Sequence, residues 1–532
     1  MVSTVEGTGQ LMRLIIRLDR VRLTVWALAL AAIPLVVASS FAALYDTEAA
    51  RLELVTTVAS SPGLVALLGP IGGTSVGALT VWRIGTIGGV FVALMSAFTV
   101  IRHTRLDEET GRRELLGSTV IGRHAPLLSA VAVAALAGVV VGVVLALGLI
   151  GIGEAVSGAV AFGASWMLLA VLFAAIGGLA AQLTETTGGG RGIVVACIGV
   201  FYALRMAGDG AGPGGLEWLS WLSPFGWVTR MEPFGEEQWW VSMLFLGLVF
   251  LVGWAAFAIS GARDVGAGVI PPRPGPPTAA PHLRSATGLA WRLHRGAVLG
   301  WSVGIALFAV VWGGLADTLG DLFEENPQLA DIFEALGGTG ALTEVFFAAA
   351  MGIVALIVSG YSIGAALRMQ SEENGLRAEH ILATPTPRLN WAGSHVLYAL
   401  VGPVLLMALA GLAAGATYGA ITGDIAGWMT DLFESALLYV PAIWVLAGIA
   451  VLLYGLAPRF TALSWGVLVA SLLLGQLGPI LQLPQWSMDL SPFTHVPTPP
   501  ESVSTAPLLL LTAVGGSLVA IGVRGFERRD LR

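Results

Sequence analysis

Lysine is missing: all 27 basic residues of the 532-residue chain are arginine. A phosphate-cradling loop needs its lysine and Schiff-base catalysis needs an amine, so the chain is not itself a P-loop ATPase. Cysteine occurs once, as Cys197, which excludes an intramolecular disulfide and any cysteine-based metal cluster. The seven histidines form no HExxH-like pattern, and no metal site is assigned. Charge is scarce too, at 11% of residues, where an ordinary soluble domain carries about a quarter.

Apolar residues take their place, at 56% of the chain with a mean hydropathy of +0.82. Runs of about 20 apolar residues, the length that crosses a bilayer core as a helix, recur throughout. They are continuous and not alternating, which excludes a membrane β-barrel. The sequence predicts an all-α polytopic membrane protein with twelve spans, at about 23–44, 81–101, 125–150, 156–183, 192–206, 240–260, 296–315, 345–367, 391–418, 435–456, 461–483 and 507–523. Ahead of the first, Arg13, Arg17, Arg20 and Arg22 alternate with Leu11, Leu14, Ile15, Ile16 and Leu18, which suits an amphipathic helix lying on the membrane face. Ala38, Ser39 and Ala42 mimic a cleavage site, but the run is long for a signal peptide and many spans follow, so retention is expected. Residues 45–80 read as a loop. Trp218, Trp221, Trp227, Trp239 and Trp240 suit the membrane interface. Gly296, Gly300 and Gly304 form a ladder that permits close helix contact.

Two charged segments interrupt this apolar chain about half its length apart: LDEETGRRELLGSTVIGR, from Leu106 to Arg123, and QSEENGLRAEHILATPTPR, from Gln370 to Arg388. Each has paired glutamates (Glu108 and Glu109; Glu372 and Glu373), a glycine (Gly111; Gly375), an arginine (Arg112; Arg377), a further glutamate (Glu114; Glu379) and a closing arginine (Arg123; Arg388). Glutamate four residues ahead of arginine, as in Glu108 to Arg112, Glu109 to Arg113 and Glu373 to Arg377, predicts side-chain pairs on a short polar helix. A single such segment reads as a solvated loop; recurrence in a second, diverged half is not required by solvation. Other landmarks recur at nearly the same offset: Pro62 and Leu64 with Pro327 and Leu329, and Leu222, Ser223, Pro224 and Phe225 with Leu490, Ser491, Pro492 and Phe493. The chain therefore reads as a tandem duplication of a six-span unit, its halves parallel: residues 1–260, a Pro/Gly-rich cytoplasmic linker at 261–290, and residues 291–532. All 27 arginines except Arg51, Arg83, Arg205 and Arg230 fall on one side, which by the positive-inside rule puts both termini and both charged segments in the cytoplasm. The loop at 317–334 is then external and acidic.

EETGRRELLGSTVIGR, EENGLRAEHILATPTPR and the two LSPF segments carry a resemblance. The chain resembles the membrane component of ABC-2-type exporters, specifically the long, duplicated permeases described as exporters of polyketide antibiotics in actinobacteria. The resemblance implies a plasma-membrane permease moving bulky hydrophobic or amphipathic, drug-like compounds outward by alternating access. It implies coupling helices at Glu108, Glu109, Gly111, Arg112, Glu114 and Arg123 and at Glu372, Glu373, Gly375, Arg377, Glu379 and Arg388, which seat in two copies of a cytosolic ATP-binding subunit. No cofactor belongs to this chain; ATP and Mg belong to those partners. Ser223, Pro224, Phe225, Ser491, Pro492 and Phe493 would lie in external re-entrant regions. Spans two, five, eight and eleven would line the substrate path, with Phe91, Met95, Phe98, Phe201, Tyr202, Phe347, Met351 and Val358 as candidates for an apolar pocket. No nucleic-acid partner is implied. The first segment lacks counterparts of Pro385 and Pro387.

Three other readings compete. An exporter of lipid or cell-envelope components has the same architecture. An ion-coupled secondary transporter also has duplicated halves, but it needs ionisable groups within the membrane, and the central spans are nearly free of Asp and Glu. A membrane-embedded enzyme would have to use Glu114 or His380, neither of which has a partnered nucleophile or metal.

Overall fold

The computed structural model describes residues 4–60, 62–117, 119–212, 215–270, 277–278, 280–316, 339–477, 484–497 and 505–530. The acidic loop at 317–334, Pro327 and Leu329, linker residues 271–276 and the end of the eleventh expected span lie outside these. The described residues are helical, with no β-strand among them, and 11 helices are long and apolar enough to cross a membrane. In chain order the long helices are α1 (Thr8–Leu44), α2 (Val76–Ile101), α3 (Ala125–Gly151), α4 (Val156–Leu183), α5 (Thr187–Gly210), α6 (Ser242–Ala262), α7 (Ala286–Leu315), α8 (Thr339–Ala366), α9 (Arg388–Thr422), α10 (Ile425–Leu437), α11 (Val440–Leu456), α12 (Leu463–Leu477) and α13 (Thr505–Arg528). Leu438 and Tyr439 join α10 to α11 as one apolar stretch, Ile425–Leu456, whereas α12 is apolar but short over its described residues.

Three local differences from the sequence reading have simple causes. The amphipathic stretch and the first span form one unbroken helix, α1, because the change from mixed to purely apolar residues at 22–23 contains no helix breaker. Residues 45–80 hold two helices, Glu48–Ser60 and Pro62–Leu68; an acidic first turn and a first-position proline are start signals that outweigh the weak periodicity. The charged segments are bent, each into two short helices, as described below.

The chain divides into two compact units, Met1–Gly275 and Pro276–Arg532. In the first, α4 is central and packs against α2, α3 and α6, while α1 lies along α3 and α2. In the second, α9 packs against α7, α8 and α10, and α11 packs against α13 and α8. Lipid tails are as apolar as leucine, so helices associate in a membrane through close packing at small residues. Between α3 and α4, a Cβ on Gly142 would overlap the Gly163 carbonyl, and one on Gly163 the carbonyl of Gly142. Gly455 of α11 and Gly522 of α13 make the same kind of backbone contact. The Gly296, Gly300 and Gly304 ladder behaves differently: a Cβ on any of the three would meet no neighbouring element within 4 Å among the described residues.

This contrast is testable. Gly142→Val forces α3 from α4 and is expected to destabilise the chain by about 1–3 kcal/mol, the usual cost of overpacking. Thermal unfolding of purified protein in detergent should show a fall of several degrees, with Gly300→Val unchanged.

Candidate functional site

In the first unit α2 continues through a π-helical turn, Arg102–Leu106, into the helix Asp107–Glu109, and after a break resumes as Arg112–Gly117. Gly111 makes the break, with φ of 71° in the left-handed region. The break moves each arginine away from the glutamate four residues before it. Arg113 therefore meets Glu108, and Arg112 lies 3.6 Å from Asp107. The predicted Glu108–Arg112 and Glu109–Arg113 pairs do not form.

Glu108 is the electrostatic centre of this end of the unit. Its side chain has no solvent exposure and meets three guanidinium groups: Arg105 at 2.9 Å, Arg263 at 2.9 Å and Arg113. A carboxylate removed from water must be paired or become neutral. Arg105, also buried, donates to the carbonyls of Ala181 (3.0 Å), Gly266 (3.2 Å) and Ala267 (3.0 Å). Glu109 turns the other way and accepts from the backbone N–H of Thr187 at 2.9 Å and from its hydroxyl, placing negative charge at the N-terminal end of α5. Arg123 donates to the carbonyls of Ser260 (3.2 Å) and Arg263 (2.9 Å), a cation at the C-terminal end of α6. Asp19 of α1, 2% exposed, lies 2.9 Å from His103 and 3.2 Å from Arg102. The N–H groups of Gly122 and His124 donate to Glu6 and Thr4. One short segment thus gathers the ends of α1, α4, α5 and α6.

The second unit repeats the plan with exchanged partners. Its segment comprises helices Arg368–Asn374 and Arg377–Leu382. The left-handed residue is Leu376, with φ of 56°, and not the preceding Gly375; a side chain there costs about 1–2 kcal/mol. Glu372 pairs with Arg368 at 2.9 Å and Arg377 at 2.7 Å, in place of the expected Glu373–Arg377 pair. Glu373 accepts from the Tyr454 hydroxyl at 2.8 Å and from Arg529. Arg388 donates to the carbonyls of Glu527 (3.2 Å) and Arg529 (2.6 Å), so it seats on the end of α13 as Arg123 seats on the end of α6. Gln370 bonds the Pro458 carbonyl and the Thr461 hydroxyl, both at 2.9 Å.

Of the segment residues singled out from the sequence, Glu108, Glu372 and Glu373 thus face inward and hold the unit together, and Arg123 and Arg388 cap the last helices. Arg112, Glu114, Arg377 and Glu379 are exposed, as are Glu109 and Gly375. The apolar-pocket candidates divide as well. Met95, Phe347, Met351 and Val358 are fully buried within their own units; α2 and α8 are interior helices, so their stripes pack against neighbouring helices. Phe347 lies among Phe346, Tyr418 and Trp428. Phe91 is exposed, Phe98 lies beneath the Arg191 guanidinium, Phe201 meets Phe173 edge-on, and the Tyr202 hydroxyl donates to the Leu67 carbonyl at 2.9 Å. In the LSPF pair, Ser223 caps the helix Pro224–Arg230 and buries Phe225 against Phe173 and Tyr202. Ser491 and Pro492 are buried, and Phe493 packs on the second core.

Sequence reasoning missed Asp19, His103, Arg105, Tyr454, Arg263 and Arg529. For the last two a signal was present: Arg263–Asp264 and Arg529–Asp530 recur at the same offset as the other landmarks. Removing one member of a buried ion pair costs about 3–5 kcal/mol, whereas exposed positions usually shift stability within about 0.5 kcal/mol. Glu108→Ala should therefore lower the unfolding temperature in detergent sharply, and Glu114→Ala should leave it in place.

Known proteins are similar to this chain along its length. A family model described as the C-terminal domain of the multidrug efflux system permease Rv1217c matches residues 283–527. The chain is 40% identical over 533 residues, spanning 100% of its own length and 96% of the relative's, to the multidrug efflux system permease protein Rv1217c of Mycobacterium tuberculosis. With that likeness running from end to end, through both charged segments and the helices they gather, the chain belongs to the Rv1217c multidrug efflux permease family.

Proposed function

We propose that the chain is the membrane-spanning subunit of an ATP-driven ABC-2-type exporter that moves bulky hydrophobic or amphipathic, drug-like compounds out of the cell. It crosses the plasma membrane twelve times as two parallel six-helix repeats, with both termini in the cytoplasm. Hydrolysis of ATP with Mg takes place in two copies of a cytosolic subunit, one at each charged segment. Closure of those subunits pushes both segments and switches the path from inward- to outward-facing.

The observation that carries the reading is the anchoring of each segment. Arg263 with Arg123, and Arg529 with Arg388, join it to the last long helix of its own unit. A force applied to the exposed residues is delivered through buried charge pairs to whole helices, as a coupling element requires. The relative's name supports the substrate class. Ion coupling is disfavoured by the state of the buried acids: Asp19, Glu108, Asp209, Glu372 and Glu373 each sit in an ion pair, and a coupling site needs a carboxylate that can be released.

Glu109 and Glu373 are poor probes of coupling, because one caps α5 and the other is buried. The exposed charges serve better. The double reversal Glu114→Arg with Glu379→Arg is expected to leave the unfolding temperature unchanged while reducing substrate-stimulated ATP hydrolysis and efflux at least tenfold in proteoliposomes containing the complex. Efflux at the unmodified rate would overturn the assignment of these segments.

A further inference from the structure

An arginine inside a membrane span is costly and is retained where it pairs or binds. Arg83 lies two turns into α2, at the end remote from the charged segment. It is exposed and has no hydrogen bond or ion pair among the described residues. By contrast, Arg205 of α5 lies 2.8 Å from Asp209, and Arg51 of the helix Glu48–Ser60 donates to the carbonyls of Tyr45 (2.9 Å) and Asp46 (3.3 Å). The repeated plan does not demand a cation at this place. The offset that takes Glu109 to Glu373 takes Arg83 to Phe347, which is buried.

Arg83 borders a cavity of about 360 Å³, within the roughly 300–1,000 Å³ of sites that hold small molecules. Val37, Phe41 and Leu44 of α1, Leu54 of the helix Glu48–Ser60 and Trp82 of α2 form its apolar wall, and no Asp or Glu borders it among the described residues. Trp82 is 7% exposed and packs with Phe41 and Leu54. Its indole N–H has no acceptor among the described residues, and a buried donor left unanswered calls for one. Snorkelling toward the interface would satisfy the guanidinium alone; it accounts neither for the cavity nor for the indole. A cation on the rim, a second donor beside it and an apolar wall together select one kind of ligand.

We propose that this cavity binds an amphipathic anion, with its carboxylate, sulfonate or phosphate on the Arg83 guanidinium and its apolar body along Val37, Phe41, Leu44 and Leu54. A guanidinium meets such groups through paired, charge-assisted hydrogen bonds, and these strengthen where protein and lipid exclude water. The wall gives affinity for an apolar tail of any kind, and Arg83 sets the sign of the head. A solute and an anionic membrane lipid share this chemistry.

The test uses the full chain purified in an uncharged detergent. The probe is an alkyl sulfonate with a diazirine in its chain; the alcohol and the trimethylammonium compound with the same chain serve as neutral and cationic controls. Irradiation is expected to attach the sulfonate to the peptides that carry Val37, Phe41, Leu44 and Leu54, about tenfold more than either control, the worth of one charge-assisted hydrogen bond. Arg83→Gln is expected to remove that preference and Arg83→Lys to keep most of it, with the unfolding temperature unchanged in both. Equal labelling by the three compounds on the unmodified chain, or a sulfonate preference that survives Arg83→Gln, overturns the proposal. Competition separates the two sources. Displacement by phosphatidylglycerol alone identifies a membrane lipid as the occupant, and displacement by anilinonaphthalene sulfonate identifies a solute; both uphold the site, and displacement by neither overturns it. Binding is read without the ATP-binding subunit, so its failure leaves the exporter reading standing.

Discussion

A carboxylate cannot be taken out of water alone, and the architecture at one end of each unit follows from that constraint. Glu108 is wholly enclosed by Arg105, Arg113 and Arg263, and the buried Glu373 is held by Arg529 and Tyr454. An isolated buried charge costs far more than a domain's net stability, and a well-paired one roughly breaks even. These clusters therefore contribute little as stability and much as geometry: they tolerate one arrangement of their helices and penalise others. The polar segments bend where Gly111 and Leu376 take left-handed conformations, with Glu108, Glu372 and Glu373 turned inward and Arg112, Glu114, Arg377 and Glu379 left in solvent.

The remainder of each unit is held by contact instead of charge. Apolar side chains gain little by leaving lipid, so the helices approach until backbones touch, at Gly142 with Gly163 and at Gly455 with Gly522. Such contacts fix neighbours pairwise. The charged ends then tie several helices at once, α1, α4, α5 and α6 in the first unit and α11 and α13 in the second. A bundle packed along its length and cross-linked at one end holds its helices in one mutual arrangement.

Both units share the same anchoring logic without the same partners. Arg263 seeks the first glutamate of its segment and Arg529 the second. The tyrosine at 454 faces Glu373, where in the first unit the Ala181 carbonyl faces Arg105. Each unit thus has an arginine at the end of its last long helix, and the two arginines meet different glutamates of their segments.

The sequence by itself determined the class and the helical state. Continuous apolar runs leave only helices in a bilayer, lysine's absence removes the P-loop, and the recurring EE-x-G and LSPF landmarks mark both charged segments and both buried Ser-Pro turns. Those are properties of local composition and order, which one-dimensional pattern carries. Tertiary structure alone decided which charges face inward. The i, i+4 rule expected Glu108–Arg112, but a single left-handed residue shifted the pairing by one, and the strongest partners, Arg263 and Arg529, lie about 155 residues away along the chain. The same holds for the stripes at Met95, Phe347, Met351 and Val358: an apolar face reads alike whether it lines a path, meets lipid or packs on a neighbouring helix, and only the arrangement of neighbours distinguishes the three.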